Sequence, residues 1–192
     1  MRSAKIERKT KETSINLILN LDGTGKSEID TGIGFLDHMM VSLSFYSGFD
    51  IFLKCEGDLD VDDHHSVEDI GIVLGQGLLE AVGDRRGIKR FSSMTTPMDE
   101  SLATVSIDIG NRPYLVYNLE FGREKIGQMD TQNFKEFFRA FAFESRMNLH
   151  VNLLYGENEH HKIEAVFKSL GRALKDAVRA MDDQITSTKG VL

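Results

Sequence analysis

One pattern of residues occurs twice in this chain, and it constrains the fold more than any other feature of the sequence. Residues 63–68 and 159–164 each carry two adjacent histidines, and together they hold four of the six histidines in the chain. In each segment a glutamate follows at the same distance, and apolar residues then recur at helical spacing. The offset from His64 to His160 also carries each apolar position onto a counterpart: Ile70, Leu74 and Leu78 onto Val166, Leu170 and Leu174. The chain is therefore predicted to be an internal duplication, with a helix beginning at a histidine pair in each half.

The repeat continues upstream of the histidine pairs. Apolar residues at helical spacing in 36–45 match those in 134–143, and alternating residues in 49–53 match those in 147–151. Alternation ahead of these segments predicts further strands, over 15–21, 103–109 and 115–121. Each half is therefore predicted to run ββαβα.

This order of elements predicts an α+β protein. We expect two sheets with helices on one side of each, packed together. The junction at 86–98 is short, which favours one domain over two independent ones. The prediction is a single domain over residues 1–192, made of repeats at about 1–92 and 93–192.

The composition limits the kinds of partner that the protein can bind and the compartment in which we expect it. The formal net charge of −7 argues against nucleic acid, whose phosphates need a basic face. No apolar run reaches the roughly 18–20 residues of a membrane helix, and the amino terminus does not resemble a secretion signal. The single cysteine, Cys55, excludes a disulfide framework within the chain. We therefore expect a cytoplasmic protein.

The histidine pairs are predicted to bind metal, because histidine and glutamate three or four residues apart on a helix present a nitrogen and an oxygen on one side. His65 with Glu68 can share one ion, and His161 with Glu164 can share another. The adjacent histidine of each pair points about 100° away. His64 and His160 are therefore expected to reach an ion shared with the other repeat.

The upstream helices supply two more candidates, since His38 and Glu136 occupy the same repeat position. His150 instead aligns with Phe52 on a strand, so the repeat gives it no metal role, and support by a core hydrogen bond is the alternative. Pseudo-symmetry then predicts two sites of four ligands. The first is His38, His65, Glu68 and His160, and the second is His64, Glu136, His161 and Glu164.

The predicted ligands also indicate the metal. Imidazole nitrogens and carboxylate oxygens without thiolate suit Mn²⁺ or Fe²⁺, with Zn²⁺ as an alternative. Cys55 has no counterpart in the second half, which argues against a structural zinc site.

At these residues the sequence resembles the imidazoleglycerol-phosphate dehydratases of histidine biosynthesis. The likeness extends over nearly the whole chain, and its specific motifs are Gly34-Phe35-Leu36-Asp37-His38-Met39, residues 62–69 and residues 159–168. The resemblance implies a duplicated ferredoxin-like half, two Mn²⁺ ions per active site and a homo-oligomer of twenty-four subunits. Family members can carry histidine at position 136, where this chain has Glu136.

The resemblance also implies a reaction. A hydro-lyase of this family removes water from D-erythro-imidazole-glycerol phosphate and yields imidazole-acetol phosphate, through a metal-stabilised imidazolate. Catalytic roles would fall on Glu12, Glu68 and Glu164, with Glu12 orienting substrate or moving a proton.

Substrate contacts are implied in the same way. The imidazole-glycerol end would meet Glu12 and the histidines His38, His64, His65 and His160. The phosphate would meet Arg90, Arg112, Lys168, Ser187 and Lys189, since guanidinium groups match phosphate geometry. Asp99 and Glu100 also match a family signature, without an assignable role.

Two other classes of function remain open on the residues alone. A binuclear metallohydrolase acting on a small phosphate ester would also use paired metals, but it would place the phosphoryl group at the ions. An RNA-binding module is compatible with the α+β architecture. The acidic charge and the duplicated histidine and glutamate positions disfavour the RNA-binding alternative.

Overall fold

The computed structural model describes residues 1–190 and divides them between two four-stranded sheets. The first half comprises β1 (Ser3–Lys9), β2 (Thr13–Asn20), β3 (Ser27–Asp30), α1 (Gly34–Ser47), β4 (Asp50–Gly57) and α2 (His64–Val82). Its strand order is β1-β2-β4-β3, antiparallel except for the β3–β4 pair.

The second half repeats this arrangement. It comprises β5 (Phe91–Met98), β6 (Ser101–Asp108), β7 (Tyr114–Asn118), the short hairpin β8 (Lys125–Ile126) and β9 (Met129–Asp130), α3 (Asn133–Glu144), β10 (Asn148–Tyr155) and α4 (Glu159–Ala177). The strand order β5-β6-β10-β7 is that of the first sheet, again with only the last pair parallel. The predicted α+β class and duplication are confirmed.

Each four-stranded sheet has one more strand than the ββαβα pattern predicted from sequence, and the second half also contains the β8–β9 hairpin. In the first half, β3 has only four residues and β1 alternates charged residues with few apolar ones, so neither shows a strong apolar period. In the second half, β5 is rich in serine and threonine and contains Pro97, and the sequence analysis treated it as part of the junction. Pairing with a central strand, rather than local apolar alternation, forms these three strands.

The helices of the two halves pack against each other between the sheets, α2 on α3 and α1 on α4. Each pair runs parallel: His64 lies beside Asn133 at the starts of α2 and α3, and Gln76 donates to Glu144 near their ends. One continuous apolar cluster includes residues of both halves. The parallel pairing places the starts of all four helices, where the predicted ligands lie, at two adjacent helix–helix contacts.

Glycines at matching repeat positions allow the helices to come this close. A Cβ at Gly75 would lie 2.7 Å from Glu144 Cβ and 2.8 Å from the Phe141 carbonyl oxygen. A Cβ at Gly171 would lie 3.0 Å from the Ser47 nitrogen. No helix among residues 1–190 combines the length and apolar character needed to cross a membrane.

We predict that Gly75→Val forces α2 away from α3 and lowers the free energy of unfolding by about 1–3 kcal/mol, the usual cost of overpacking. Urea denaturation followed by circular dichroism measures the change. Gly34→Ala is the matched control, because a Cβ there has no neighbour within 4 Å. Equal stability of the two variants would show that the close approach at Gly75 does not constrain the helix pair.

Candidate functional site

The first candidate metal centre lies where α1 meets α4, and we call it the α1–α4 cluster: His38, His160 and Glu164. One ligand atom from each of these residues lies within 4.8 Å of the others. His160 Nε2 is 3.0 Å from Glu164 Oε2, and His38 Nε2 is 3.6 Å from the same oxygen. Two imidazoles and a carboxylate around one point suit a divalent cation.

A lysine compensates the charge of the carboxylate in this cluster. Lys168, one turn further along α4, places Nζ 2.9 Å from the other oxygen of Glu164. Burial on its own would raise the pKa of Glu164, but the hydrogen bond and charge of Lys168, together with His38 and His160, leave the pKa below its ordinary value. Glu164 is therefore ionised and able to serve as a metal ligand.

The repeat-related residues lie where α2 meets α3, and we call them the α2–α3 cluster: His64, Glu68 and Glu136. Among residues 1–190, only the α1–α4 cluster brings three possible ligand atoms within 4.8 Å of one another. His64 Nε2 is 3.5 Å from Glu68 Oε2. Arg139 lies between the two glutamates, with Nη2 2.8 Å from Glu68 Oε1 and Nε 2.8 Å from Glu136 Oε2. Glu136 occupies the repeat position of His38, and the cation that pairs with Glu68, Arg139, lies on the facing helix α3.

The two glutamates pair differently from the sequence analysis. That analysis put Glu68 with His38 and His160, and Glu164 with His64 and Glu136. In the structure each glutamate instead pairs with the histidine four residues before it on its own helix. Residues four apart lie one above the other on a helix, and α1 and α3 then bring His38 and Glu136 to the same side.

The second histidine of each pair, His65 or His161, lies outside these clusters within the chain. His65 Nδ1 is 3.0 Å from Asp58 Oδ2, and His161 Nδ1 is 2.7 Å from Glu100 Oε2. These hydrogen bonds are the main reason that the pKa of each histidine is raised. With Nδ1–H donating to a carboxylate, Nε2 of each ring can bind a metal.

Local capping fixes where the histidines begin each helix. The Asn158 side chain accepts from the backbone amides of His160 and His161, and Asp62 accepts from the amide of His64. Asn133, at the start of α3, has its side-chain oxygen 3.1 Å from His64 Nδ1. The sequence analysis did not identify Asp58, Asn133 or Arg139 as members of the site, because their contacts arise from tertiary packing.

Four of the five residues predicted to contact phosphate line a separate cleft of about 740 Å³, and Lys168 does not. Its lining includes Arg90, Arg112, Ser187 and Lys189. Arg90 is buried: Nε donates to Asp108 over 2.6 Å, and Nη1 donates to the Thr186 carbonyl over 2.7 Å. Arg112 and Lys189 are exposed. The cleft therefore combines one fixed and two adjustable cations, which suits an anionic ligand.

The remaining candidates lie apart from this cleft. Lys168 belongs to the α1–α4 cluster. Glu12 precedes β2, and its Oε1 is 3.9 Å from His65 Nε2. His150 lies on β10 between Ser106 and Val116, and it joins neither cluster in the described chain.

The α1–α4 cluster and the basic cleft lie at opposite ends of α4. His160 is the second residue of α4, whereas the carbonyl of its last residue, Ala177, accepts from the amide of Arg90. At about 1.5 Å per residue these points are about 25 Å apart. One small phosphorylated molecule cannot contact both within a single chain.

The fold and its site define a duplicated α+β protein with two histidine–carboxylate clusters and an anion cleft. The model of one family, imidazoleglycerol-phosphate dehydratase, matches residues 31–174. The chain belongs to the imidazoleglycerol-phosphate dehydratase family.

Individual relatives are similar to this chain over essentially its full length. The chain is 59% identical over 192 residues to the imidazoleglycerol-phosphate dehydratase of Clostridioides difficile (strain 630), covering 100% of both. It is 53% identical to that of Clostridium botulinum (strain Alaska E43 / Type E3), covering 100% of this chain and 98% of the relative.

Solved structures are similar too. The enzyme of Staphylococcus aureus subsp. aureus N315 matches with a TM-score of 0.85 and 42% identity, covering 93% of this chain and 99% of that one. The enzyme of Pyrococcus furiosus, in complex with (S)-C348, matches with a TM-score of 0.85 and 38% identity, covering 97% and 100%.

We predict that Asp108→Ala lowers the free energy of unfolding by about 3 kcal/mol, because it leaves the buried guanidinium of Arg90 without its carboxylate. The two side chains are only 10% and 16% exposed. Chemical denaturation measures the loss. The control is Asp22→Ala, which breaks the more exposed pair with Arg2 and should cost about 0–1 kcal/mol. Similar losses in both variants would contradict a special role for the Arg90 pair.

Proposed function

We infer that this chain is a lyase of histidine biosynthesis that dehydrates D-erythro-imidazole-glycerol phosphate to imidazole-acetol phosphate. The observation that carries this inference is the full-length similarity to named dehydratases, at 59% identity in the first case. The two histidine–carboxylate clusters and the basic cleft supply groups for the two ends of such a substrate.

We propose that each active site holds two Mn²⁺ ions, with Fe²⁺ or Zn²⁺ as alternatives. The α1–α4 cluster would hold one ion and the α2–α3 cluster the other. His65 and His161, which lie outside the clusters of their own chain, would each complete a cluster on a neighbouring chain. The nitrogen and oxygen donors without thiolate fit such ions. When bound, the metal would supply Lewis acidity toward the imidazole and hydroxyl groups of the substrate.

The chain's own residues would bind and orient the rest of the substrate. Arg90 uses three of its five N–H donors on Asp108 and Thr186, which leaves two for phosphate oxygens. Arg112, Ser187 and Lys189 line the same cleft and can close on the phosphate. The imidazole-glycerol end would lie among His38, His64, His65 and His160. Lys168 would act indirectly, by compensating the charge of Glu164.

Proton transfer is assigned to Glu12. Its carboxylate is half-exposed and close to His65 Nε2, so it can reach a substrate bound beside that histidine. Glu68 and Glu164 each bind a cation, Arg139 or Lys168, and would act in catalysis as ionised groups that hold the reacting centre.

A single chain does not bring the clusters and the cleft together, which supports an active site shared between subunits. We propose a homo-oligomer of twenty-four chains, each a single domain of two repeats, working in the cytoplasm. The phosphate cleft of one chain would then face a metal cluster of another.

We predict that the purified protein forms imidazole-acetol phosphate when supplied with Mn²⁺ and stops when the metal is chelated. His65→Ala or His161→Ala should abolish turnover and lower the bound manganese, because each removes one ligand. Anaerobic metal analysis and a product assay measure both effects. A hydrolase would instead release inorganic phosphate, and that result, or full activity in metal-free His65→Ala, would exclude the proposed reaction.

We predict that Arg112→Ala mainly weakens substrate binding, raising KM by about 10-fold or more through loss of a charge-assisted phosphate contact worth about 1.5–3 kcal/mol. Bound manganese should not change, because Arg112 lies at the far end of α4 from the clusters. Steady-state kinetics and metal analysis separate the two. A loss of metal without a change in KM would contradict the assignment of this cleft to phosphate.

A further inference from the structure

The two halves carry a glutamate at the same position in the same turn. Glu12 lies between β1 and β2, and Glu100 lies between β5 and β6. Each immediately precedes a strand, β2 or β6, whose start pairs with the end of the strand before the histidine pair, β4 or β10. The duplication therefore supplied both halves with one carboxylate near the second histidine of the pair.

In the second half this carboxylate is fully engaged. Glu100 Oε2 accepts from His161 Nδ1 over 2.7 Å. Its Oε1 accepts from the backbone amides of Glu157 and Asn158, over 3.2 and 2.8 Å, in the loop that begins α4. One side chain thus fixes both the ring of His161 and the loop that carries it, and these bonds hold the pKa of Glu100 well below its ordinary value.

In the first half a different residue occupies this role. Asp58, from the loop between β4 and α2, places its carboxylate 3.0 Å from His65 Nδ1. Glu12 instead faces the opposite edge of the ring, with Oε1 3.9 Å from His65 Nε2, and its side chain is 54% exposed. Glu12 is therefore free to meet a ligand.

We propose that Glu100 and Asp58 are positioning residues, which hold His161 and His65 in the tautomer and orientation needed to bind metal through Nε2. The two repeats have diverged: Glu100 retains a structural task, while Asp58 performs that task in the first half and leaves Glu12 for the substrate. The inference rests on the proposed function, since it takes His65 and His161 as metal ligands. A carboxylate on Nδ1 raises the basicity of the ring and fixes its proton, and loss of such a partner typically weakens metal binding 10–100-fold.

The Glu100→Gln variant distinguishes orientation of the His161 ring from stabilisation of the loop before α4. The amide oxygen can still accept from the amides of Glu157 and Asn158, so the loop before α4 is kept. The NH₂ group then faces His161 Nδ1 as a donor, and the ring proton moves to Nε2, where it opposes metal binding.

The test is a titration of the purified protein with Mn²⁺, in which electron paramagnetic resonance measures the bound Mn²⁺. Glu100→Gln, Glu100→Ala and Asp58→Ala should each weaken Mn²⁺ binding 10–100-fold, and excess Mn²⁺ should restore turnover. Glu100→Gln should keep the wild-type thermal midpoint of the metal-free protein. The matched variant Glu12→Gln, at the repeat position of Glu100, should keep its Mn²⁺ affinity and lose turnover that excess Mn²⁺ does not restore.

His161→Ala distinguishes failure of this inference from failure of the proposed function. Unchanged Mn²⁺ binding in His161→Ala would show that His161 is not a metal ligand, and the proposed function would fail at this residue. Weak binding in His161→Ala, with wild-type binding in Glu100→Gln, would overturn the positioning role and leave Glu100 as a loop brace. Loss of Mn²⁺ affinity in Glu12→Gln equal to that in Glu100→Gln would contradict the divergence of the two repeats.

Discussion

Close parallel packing of helices from opposite halves is the interaction on which the rest of the molecule depends. At Gly75 and Gly171 the backbones approach closely enough that a side chain would collide with the facing helix. The same pairing brings His38 to the start of α4 and Glu136 to the start of α2. Neither half contains all three residues of the α1–α4 cluster, so this candidate metal-binding group exists only because the halves are packed together.

In both clusters a cation pairs with the glutamate that follows the histidines, but the cation comes from a different helix in each repeat. Each glutamate is matched by one cation, Lys168 from the same helix for Glu164 and Arg139 from the facing helix for Glu68. The repeat counterparts of these cations, Ile72 and Val41, are apolar. The geometry therefore accepts the cation that pairs with each glutamate from either side of the helix pair.

The position of α4 links the two kinds of site across the molecule. Its first two turns carry His160, His161 and Glu164, and its last carbonyl accepts from the backbone of Arg90. A substrate with an imidazole at one end and a phosphate at the other is much shorter than this helix. If one substrate molecule contacts both sites, as the proposed reaction needs, the cluster and the cleft must come from different chains.

The sequence by itself determined the duplication, the α+β class and the identity of the candidate ligands, because apolar periodicity and repeat spacing are local properties of the chain. It did not reveal β1, β3 and β5, which depend on pairing with a neighbouring strand. Only the tertiary structure decided that Arg139 contacts both Glu68 and Glu136, and that Asp58 and Glu100 hold the outer histidines. The four-residue spacing of His64 with Glu68 and of His160 with Glu164 is local, but contacts between different elements follow from the helix crossing and from side-chain direction, which residue spacing does not encode.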